Sequence, residues 1–250
     1  MEVHHHPHTA RKNWTHYFWE FFMLFLAVTL GFFVENQREH LVEHNRAKQY
    51  ATFLHSDLVK DTANLTERID AMTTGIKTMD TLILILKSVD SEASEKRIYA
   101  LSTYPYSNPI FTASTSTIEQ LKSSGSLRYF RNAELIRNFS DYDNNIRLIN
   151  TVENRNAYIS EETRKFLSQF LDLKGVPLPR IVASDAVGLE QSFIPETLKL
   201  YKKDRAQFDQ YANLCTLKQL DWRNRIRIMS RTLNSARNLI LSLKKEYDLK

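Results

Sequence analysis

The chain has 250 residues, of which 42% are hydrophobic and 25% are charged. These values are typical of a folded protein, so they exclude a chain that is disordered throughout. Only five glycines and six prolines occur, which is too few for the many turns of a β-sandwich and favours long helices. The net charge of +5 predicts no nucleic-acid-binding surface unless the charge is concentrated in one place, and we expect no nucleic-acid partner.

Residues 1–16 are predicted to form a flexible, histidine-rich tail. A cluster of histidines has some affinity for transition metals, but incidental binding explains this one better than a dedicated site. We therefore expect no cofactor here or elsewhere in the chain. The histidines are His4, His5, His6 and His8.

Residues 17–36 are predicted to form a transmembrane helix. Residues 17–34 contain only one side chain that is charged at neutral pH, that of Glu20, and as a helix they span about 27 Å, close to the thickness of a hydrocarbon core. Trp14, Tyr17 and Trp19 lie at one end, where aromatic rings prefer the headgroup layer. A cleaved signal peptide and a buried helix of a soluble protein are the alternatives. The first lacks the expected small residues at a cleavage site, and the second conflicts with a helix that is apolar on every face.

One face of this helix carries Glu20, Leu24, Ala27, Gly31 and Val34. Ala27 and Gly31 form a small-xxx-small pair, which lets two helix backbones approach closely in lipid. A carboxyl group inside a membrane is costly unless it faces protein, water or a headgroup. We expect this face to contact another helix, most simply a second copy of the chain. The alternative is that the Glu20 side chain reaches the interface.

The side of the membrane is predicted from the short basic tail. Arg11 and Lys12 precede the helix, while Arg38, Arg46 and Lys48 follow it, so the positive-inside count is nearly balanced. Because a short basic tail before an uncleaved anchor usually stays in the cytoplasm, we expect a cytoplasmic N-terminus and a periplasmic C-terminal domain.

The juxtamembrane sequence His40-Leu41-Val42-Glu43-His44 fits the H-x-x-E-H pattern of inverted zinc proteases. Histidines four residues apart share a helix face, so His40 and His44 could hold a metal while Glu43 acts as a base. The surrounding charge favours a solvated helix face instead, and a five-residue match arises easily by chance.

Residues 37–250 are predicted to form a helical-bundle domain, because apolar residues recur at alternating spacings of three and four. The fold class is therefore all-α, with the transmembrane helix continuing into an antiparallel bundle of long amphipathic helices. Short helices or a partner subunit supply a fourth wall, and the lone Cys215 is expected in the core.

The periodic apolar residues form three stripes, one on each long helix. The first predicted stripe is Ala47, Ala51, Leu54, Leu58, Thr62, Leu65, Ile69, Met72, Ile76, Met79, Ile83 and Leu86. The second is Leu135, Phe139, Tyr142, Ile146, Ile149, Asn156, Ile159, Thr163, Phe166 and Phe170. The third is Trp222, Ile226, Met229, Leu233, Ala236, Ile240, Leu243 and Tyr247.

Two further groups of residues suggest ligand contacts. Residues 104–109 read YPYSNP and are predicted to be a loop, in which Tyr104, Tyr106 and nearby Phe111 either line a small pocket or plug the end of the bundle. The last helix is locally basic, with Arg223, Arg225, Arg227 and Arg231 close together in sequence. Of these, Arg223, Arg227 and Arg231 share one stripe. This stripe could contact phosphate or anionic lipid, unless acidic side chains on neighbouring helices neutralise it.

The sequence also resembles a known family in two places. The first is residues 13–40, with NW, YFWEFFMLFLAV, GF and ENQREH in order, and the second is residues 117–128, TIEQLKSSGSLR, followed by Asn132, Glu134, Leu135 and Tyr142. Both are similar to a family of uncharacterised single-pass membrane proteins of Bacteroidota, defined by a domain of unknown function. The resemblance implies a bacterial envelope location and no catalytic residue.

The predicted function is that of a membrane-anchored helical scaffold or interaction protein of the bacterial cell envelope. Its expected partners are the lipid bilayer of the inner membrane and either itself or other envelope membrane proteins. The alternatives are a small-molecule-sensing bundle that signals through a partner, and a metal-dependent hydrolase using His40, Glu43 and His44. No Ser/His/Asp set, glycine-rich phosphate loop or CxxC motif supports an enzyme.

Overall fold

The computed structural model describes residues 14–88, 92–172, 200–201 and 203–249. The histidines of the predicted tail lie outside these residues. The described residues form helices and no strand, with one isolated bridge between Leu171 and Leu200. The predicted all-α class is confirmed.

The described residues form six α-helices and one short 3₁₀ helix. Three are long: α1 (Trp14–Lys87), α5 (Ala133–Phe170) and α6 (Arg205–Tyr247). Between them lie α2 (Glu92–Leu101), α3 (Thr103–Tyr106), α4 (Ser116–Ser123) and the 3₁₀ turn Ser126–Tyr129.

The predicted loop at residues 104–109 is wrong in its first half, because residues 104–106 belong to the single helical turn α3. Pro105 is tolerated there because the first turn of a helix has no intrahelical use for its amide hydrogen. After α3 the chain is extended or irregular from Ser107 to Thr115.

Side chains at the helix ends account for several boundaries. The Asn132 side chain accepts hydrogen bonds from the amides of Glu134 and Leu135 at the start of α5, and Asp204 accepts one from Gln207 at the start of α6. Gly125, after α4, has a φ of 67°, a conformation that glycine adopts without strain.

The chain divides into two compact units, residues 1–49 and 50–250. The predicted bundle domain began at residue 37, whereas the second unit begins at Tyr50. Residues 37–49 are almost all exposed, with Ala47 the buried exception, so they add little core of their own.

In the first unit, every described residue from Trp14 to Glu35 is exposed. This part of α1 contains the one described helical segment that is long and apolar enough to cross a membrane, and none of that segment is buried. Its large apolar side chains include Trp19, Phe21, Leu24 and Phe32, which are 60%, 65%, 69% and 76% exposed.

In the second unit, the three predicted stripes form the core. Most of their apolar members are buried, as is Cys215, whose thiol pKa is raised to about 12 by burial. Thr62, Ile69, Ile83, Ile159, Ile226 and Ile240 are only half-buried. The interior also contains Gly75, where an added Cβ would lie 2.9 Å from Cη2 of Trp222 and closer still to its Cζ3. The glycine therefore makes room for the indole.

Side-chain contacts fix the directions of the helices in this unit. Asn132 bonds to Glu246, Asn145 to Ser235 and Asn156 to Asp221, so α5 and α6 run in opposite directions. Along α1, Gln219 donates to the carbonyl of Ile76 and Arg205 to that of Leu86, so this part of α1 also runs opposite to α6.

The chain between α1 and α5 returns along the side of the long helices. The Tyr99 hydroxyl bonds to the Asp172 carbonyl at the end of α5, whereas Lys122 pairs with Asp143 near its start. This segment lies where the sequence predicted a fourth wall of short helices.

Candidate functional site

The predicted transmembrane contact face is open. Glu20, Leu24, Ala27 and Gly31 are all exposed, and no other described atom lies within 4 Å of a Cβ built on Gly31. The Glu20 carboxylate lies 3.0 Å from Nε2 of His16, one turn towards the N-terminus. The face therefore combines a small-residue surface that another backbone can approach with a carboxylate held near the end of the apolar segment.

The predicted zinc ligands lie together on one stretch of α1. His40 and His44 are exposed and Glu43 is half-buried, all on one helix. Among the described residues, no group of three His, Cys, Asp or Glu side chains is placed to hold a metal ion. Two turns of one helix supply only part of a coordination sphere, so a zinc site would need ligands from another element.

The three residues of the predicted aromatic pocket differ in burial. Phe111 is 2% exposed within the core, Tyr104 is half-buried and Tyr106 is 48% exposed. The burial of Phe111 fits the alternative prediction, in which this side chain fills the interior and does not line a pocket. A crevice lies beside it, lined by Ile149, Val152, Glu153, Arg225, Ile228 and Met229, and it is too narrow for a water molecule.

Arg225 is instead the centre of a buried polar cluster. Its side chain is 3% exposed and donates to Asn108 Oδ1 at 2.8 Å, to the Pro109 carbonyl, and to Glu153 Oε1 at 3.1 Å. Asp221 lies 4.0 Å from the guanidinium, and burial raises its carboxyl pKa while Arg225 lowers it. A buried arginine requires such partners, so this cluster fixes the start of the irregular segment 107–115.

A second cluster fixes the other end of that segment. Asp61 is only 2% exposed. Its carboxylate accepts hydrogen bonds from the Ser114 amide at 3.0 Å and from the Tyr142 hydroxyl at 2.5 Å. Asp57 accepts the Thr117 hydroxyl at 2.5 Å. Burial and the nearby Asp61 charge raise the phenol pKa of Tyr142, so the hydroxyl remains a donor at neutral pH.

Lys218 forms a third polar contact in the core. It is fully buried, donates to Ser160 Oγ at 2.6 Å and lies over the Trp222 ring at 5.7 Å. Burial lowers its pKa to about 8. A serine beside a lysine of lowered pKa is a known nucleophile arrangement, but Ser160 is only 3% exposed, so this pair has no access to a substrate.

The predicted basic stripe is the remaining candidate, and it faces solvent. Arg223, Arg227 and Arg231 are all exposed on α6. Arg227 donates to Asn224 Oδ1 at 2.8 Å, and none of the three arginines forms an ion pair with a carboxylate of the described residues. The alternative, in which neighbouring acidic side chains neutralise the stripe, therefore finds no support in the described part of the chain.

The buried polar residues were missed in the sequence, although their spacing contains a signal. Asp61 lies between Leu58 and Leu65 at core spacing, and Lys218 and Arg225 fall three or four residues from Trp222. A charged residue at a core position indicates an internal hydrogen-bonded cluster. The prediction had instead assigned Thr62 to that stripe and grouped Arg225 with the exposed arginines.

Comparisons with known proteins add no assignment. No family model, curated protein or solved structure matches the chain. The resemblance to membrane proteins of Bacteroidota remains a prediction.

Proposed function

We propose that this chain is a membrane-anchored helical scaffold or interaction protein of the bacterial cell envelope. The anchor is residues 17–36, set in the inner membrane with the N-terminus in the cytoplasm and the helical bundle in the periplasm. The bundle acts by contact with a second copy or with other envelope membrane proteins and catalyses no reaction.

The observation that carries this proposal is the exposure of the apolar segment of α1. Segments of ordinary soluble proteins cover most of their large apolar side chains, because each costs about 1.5–3 kcal/mol when left in water. Here Phe21, Leu24 and Phe32 are more than half exposed, and none of their apolar neighbours from Tyr17 to Val34 is buried. Such an apolar helix is stable when it is surrounded by the hydrocarbon core of a bilayer.

The polar chemistry of the bundle supports an assembly role over catalysis. The charged residues at the centres of its described clusters form hydrogen bonds inside the fold. These residues are Arg225, Asp61 and Lys218. By contrast, the apolar segment of α1 and the arginines of α6 are exposed, and both suit contacts with other molecules.

Within the membrane, the face of Ala27 and Gly31 is proposed to contact another helix. Without side-chain bulk at these positions two backbones come close enough for extensive van der Waals contact, which drives helix association in lipid. The Glu20 carboxylate near one end of the face would add a polar contact at the edge of the membrane.

Cysteine crosslinking in native membranes tests self-association at this face. We expect Gly31→Cys to give a disulfide-linked dimer on mild oxidation, whereas Phe33→Cys, at a similar depth on the opposite face, gives much less. The native Cys215 is buried and adds little background. If neither variant gives a dimer, the two-copy arrangement is wrong.

Co-purification tests the wider assembly role. The full chain extracted from membranes with a mild detergent is expected to migrate in native gels as a complex larger than one chain in its micelle. Migration as a single chain, with no co-purifying envelope protein, would contradict the proposal.

A further inference from the structure

Helix α6 carries a second stripe with heptad spacing on the side opposite its core. The positions alternate by three and four residues, which is the spacing that aligns side chains along one side of a coiled-coil helix. We call this set the outer stripe: Leu217, Leu220, Asn224, Arg227, Arg231, Asn234, Asn238, Leu241 and Lys245.

The outer stripe lies open along its length. Leu217, Leu220 and Leu241 are 51%, 58% and 65% exposed, although leucine is among the residues most often buried. Asn224 is half-buried and the remaining members are exposed. Leucines at two ends, separated by amides and arginines, form a surface with an apolar–cationic–apolar order.

The central charge argues against a second copy of the chain on this surface. In an antiparallel pairing that aligns Leu217 with Leu241, the opposite partner of Arg227 is Arg231. In a parallel pairing each arginine faces its own copy. Like charges at facing positions are unfavourable, so both registers are disfavoured.

We propose that the outer stripe binds an amphipathic helix of another protein that has carboxylates opposite Arg227 and Arg231 and apolar residues opposite the leucines. The guanidinium fork suits bidentate contact with carboxylates, and a coiled-coil partner matches the spacing of the whole stripe. This inference rests on the proposed function as an interaction protein and specifies the chemistry of its partner.

The order of the stripe favours a protein helix over an anionic membrane surface. Leu220 and Leu241 are separated by 21 residue steps, or about 32 Å along the helix axis, with polar side chains between them. A helix of about three to four heptads offers apolar side chains at both ends and carboxylates between. A lipid surface offers anionic headgroups and apolar chains at every point along the helix, so it does not match an order in which only the ends are apolar.

A charge-swap experiment with defined peptides tests this inference. The full chain is placed in nanodiscs of phosphatidylcholine, and two synthetic heptad peptides of about 28 residues are titrated by fluorescence anisotropy. Both peptides have leucine at the terminal contact positions, and the central contact positions are glutamate in one and lysine in the other. We expect the glutamate peptide to bind at least about tenfold more tightly, with affinity falling as salt increases.

The substitutions R227E/R231E should reverse this preference, so that the lysine peptide binds better. The matched control is R137E/R237E, which changes the net charge equally at exposed positions outside the outer stripe and should retain the original preference. Circular dichroism of each variant checks that the helices remain folded.

Two results would overturn the inference. One is equal binding of the two peptides, or a preference that survives R227E/R231E. The other is that neither peptide binds, while phosphatidylglycerol vesicles bind the wild-type chain and do not bind R227E/R231E. That result would show that the stripe binds a lipid surface. Cell fractionation tests the proposed membrane anchor separately, because a chain found in the soluble fraction would contradict the anchor and not the peptide preference.

Discussion

At the scale of single residues, the core contains groups that a purely apolar bundle would not need. Lys218 is fully buried and its pKa is lowered to about 8, mainly by burial. The nearby Asp221 raises that pKa, whereas Arg225 and Arg164 lower it further. The protonated lysine therefore costs stability at neutral pH even though it donates a hydrogen bond to Ser160.

Replacing Lys218 with methionine should stabilise the protein in a pH-dependent way. Its folded pKa, about 8, lies below the ordinary 10.5, so between these values the unfolded chain binds a proton that the folded chain does not. Wild-type stability from this group therefore rises with pH across that window. We expect K218M to exceed the wild type by at most about 3 kcal/mol below pH 8, with the difference vanishing towards pH 10.5.

Thermal unfolding of the full chain in detergent, followed by circular dichroism at several pH values, measures this difference. Arg225 remains 4.0 Å from Asp221 in the variant, so that carboxylate keeps a counter-ion. Lys77→Met, at an exposed position of α1, is the control and should show no such pH dependence. A K218M protein that melts below the wild type at pH 7 would contradict this reading.

Gly75 should resist replacement by alanine, against the usual trend for helices. Alanine is favoured over glycine by about 1 kcal/mol in an exposed helix. Here its Cβ would overlap the ring of Trp222, and overpacking of a core costs about 1–3 kcal/mol. We expect G75A to lower the melting temperature, and the loss to be smaller in a W222F background. An increase in melting temperature would show that the indole moves without cost.

At the scale of helices, the sequence predicted the long helices well because their apolar spacing is sustained over many turns. The stripes from Ala51 to Leu86 and from Leu135 to Phe170 have most of their apolar members buried. The irregular segment 107–115 was not predicted to cross the long helices, because its position depends on Asp61 and Arg225, which are distant in sequence. Periodicity indicates which face is buried and does not identify long-range polar partners.

The Asp61 cluster should control the order of this segment. Asp61→Ala removes the acceptor of both the Ser114 amide and the Tyr142 hydroxyl, and unsatisfied buried donors cost about 1–3 kcal/mol each. We expect hydrogen exchange at the Ser114 amide to accelerate strongly, with a lower melting temperature. Asp70→Ala, at an exposed position of α1, should change neither. Unchanged exchange at Ser114 in D61A would show that other contacts hold the segment.

For the candidate sites, the sequence predicted which residues share a helix face but did not predict a complete site. The sequence assigned Arg223, Arg227 and Arg231 to one stripe, and all three are exposed on α6. The proposed ligands His40, Glu43 and His44 share a helix, and no three such side chains among the described residues are grouped to hold a metal ion. A local motif specifies only local geometry, whereas a site requires residues that the fold brings together from several elements.

At the scale of the whole molecule, membrane orientation is a separate prediction. A periplasmic bundle implies that alkaline phosphatase fused after Lys250 is active, whereas a fusion before Met1 is inactive, because the enzyme folds only where disulfides form. Green fluorescent protein fused at the same two positions is the control and should give the opposite pattern. An inactive C-terminal phosphatase fusion with a fluorescent C-terminal counterpart would reverse the orientation.

The most direct test is the intact mass of the protein recovered from carbonate-washed membranes. With residues 17–36 retained in lipid, the protein should remain in the membrane pellet and have the mass of the full 250-residue chain. A mature chain that begins after Val34, or a full-length chain in the soluble fraction, would contradict the account.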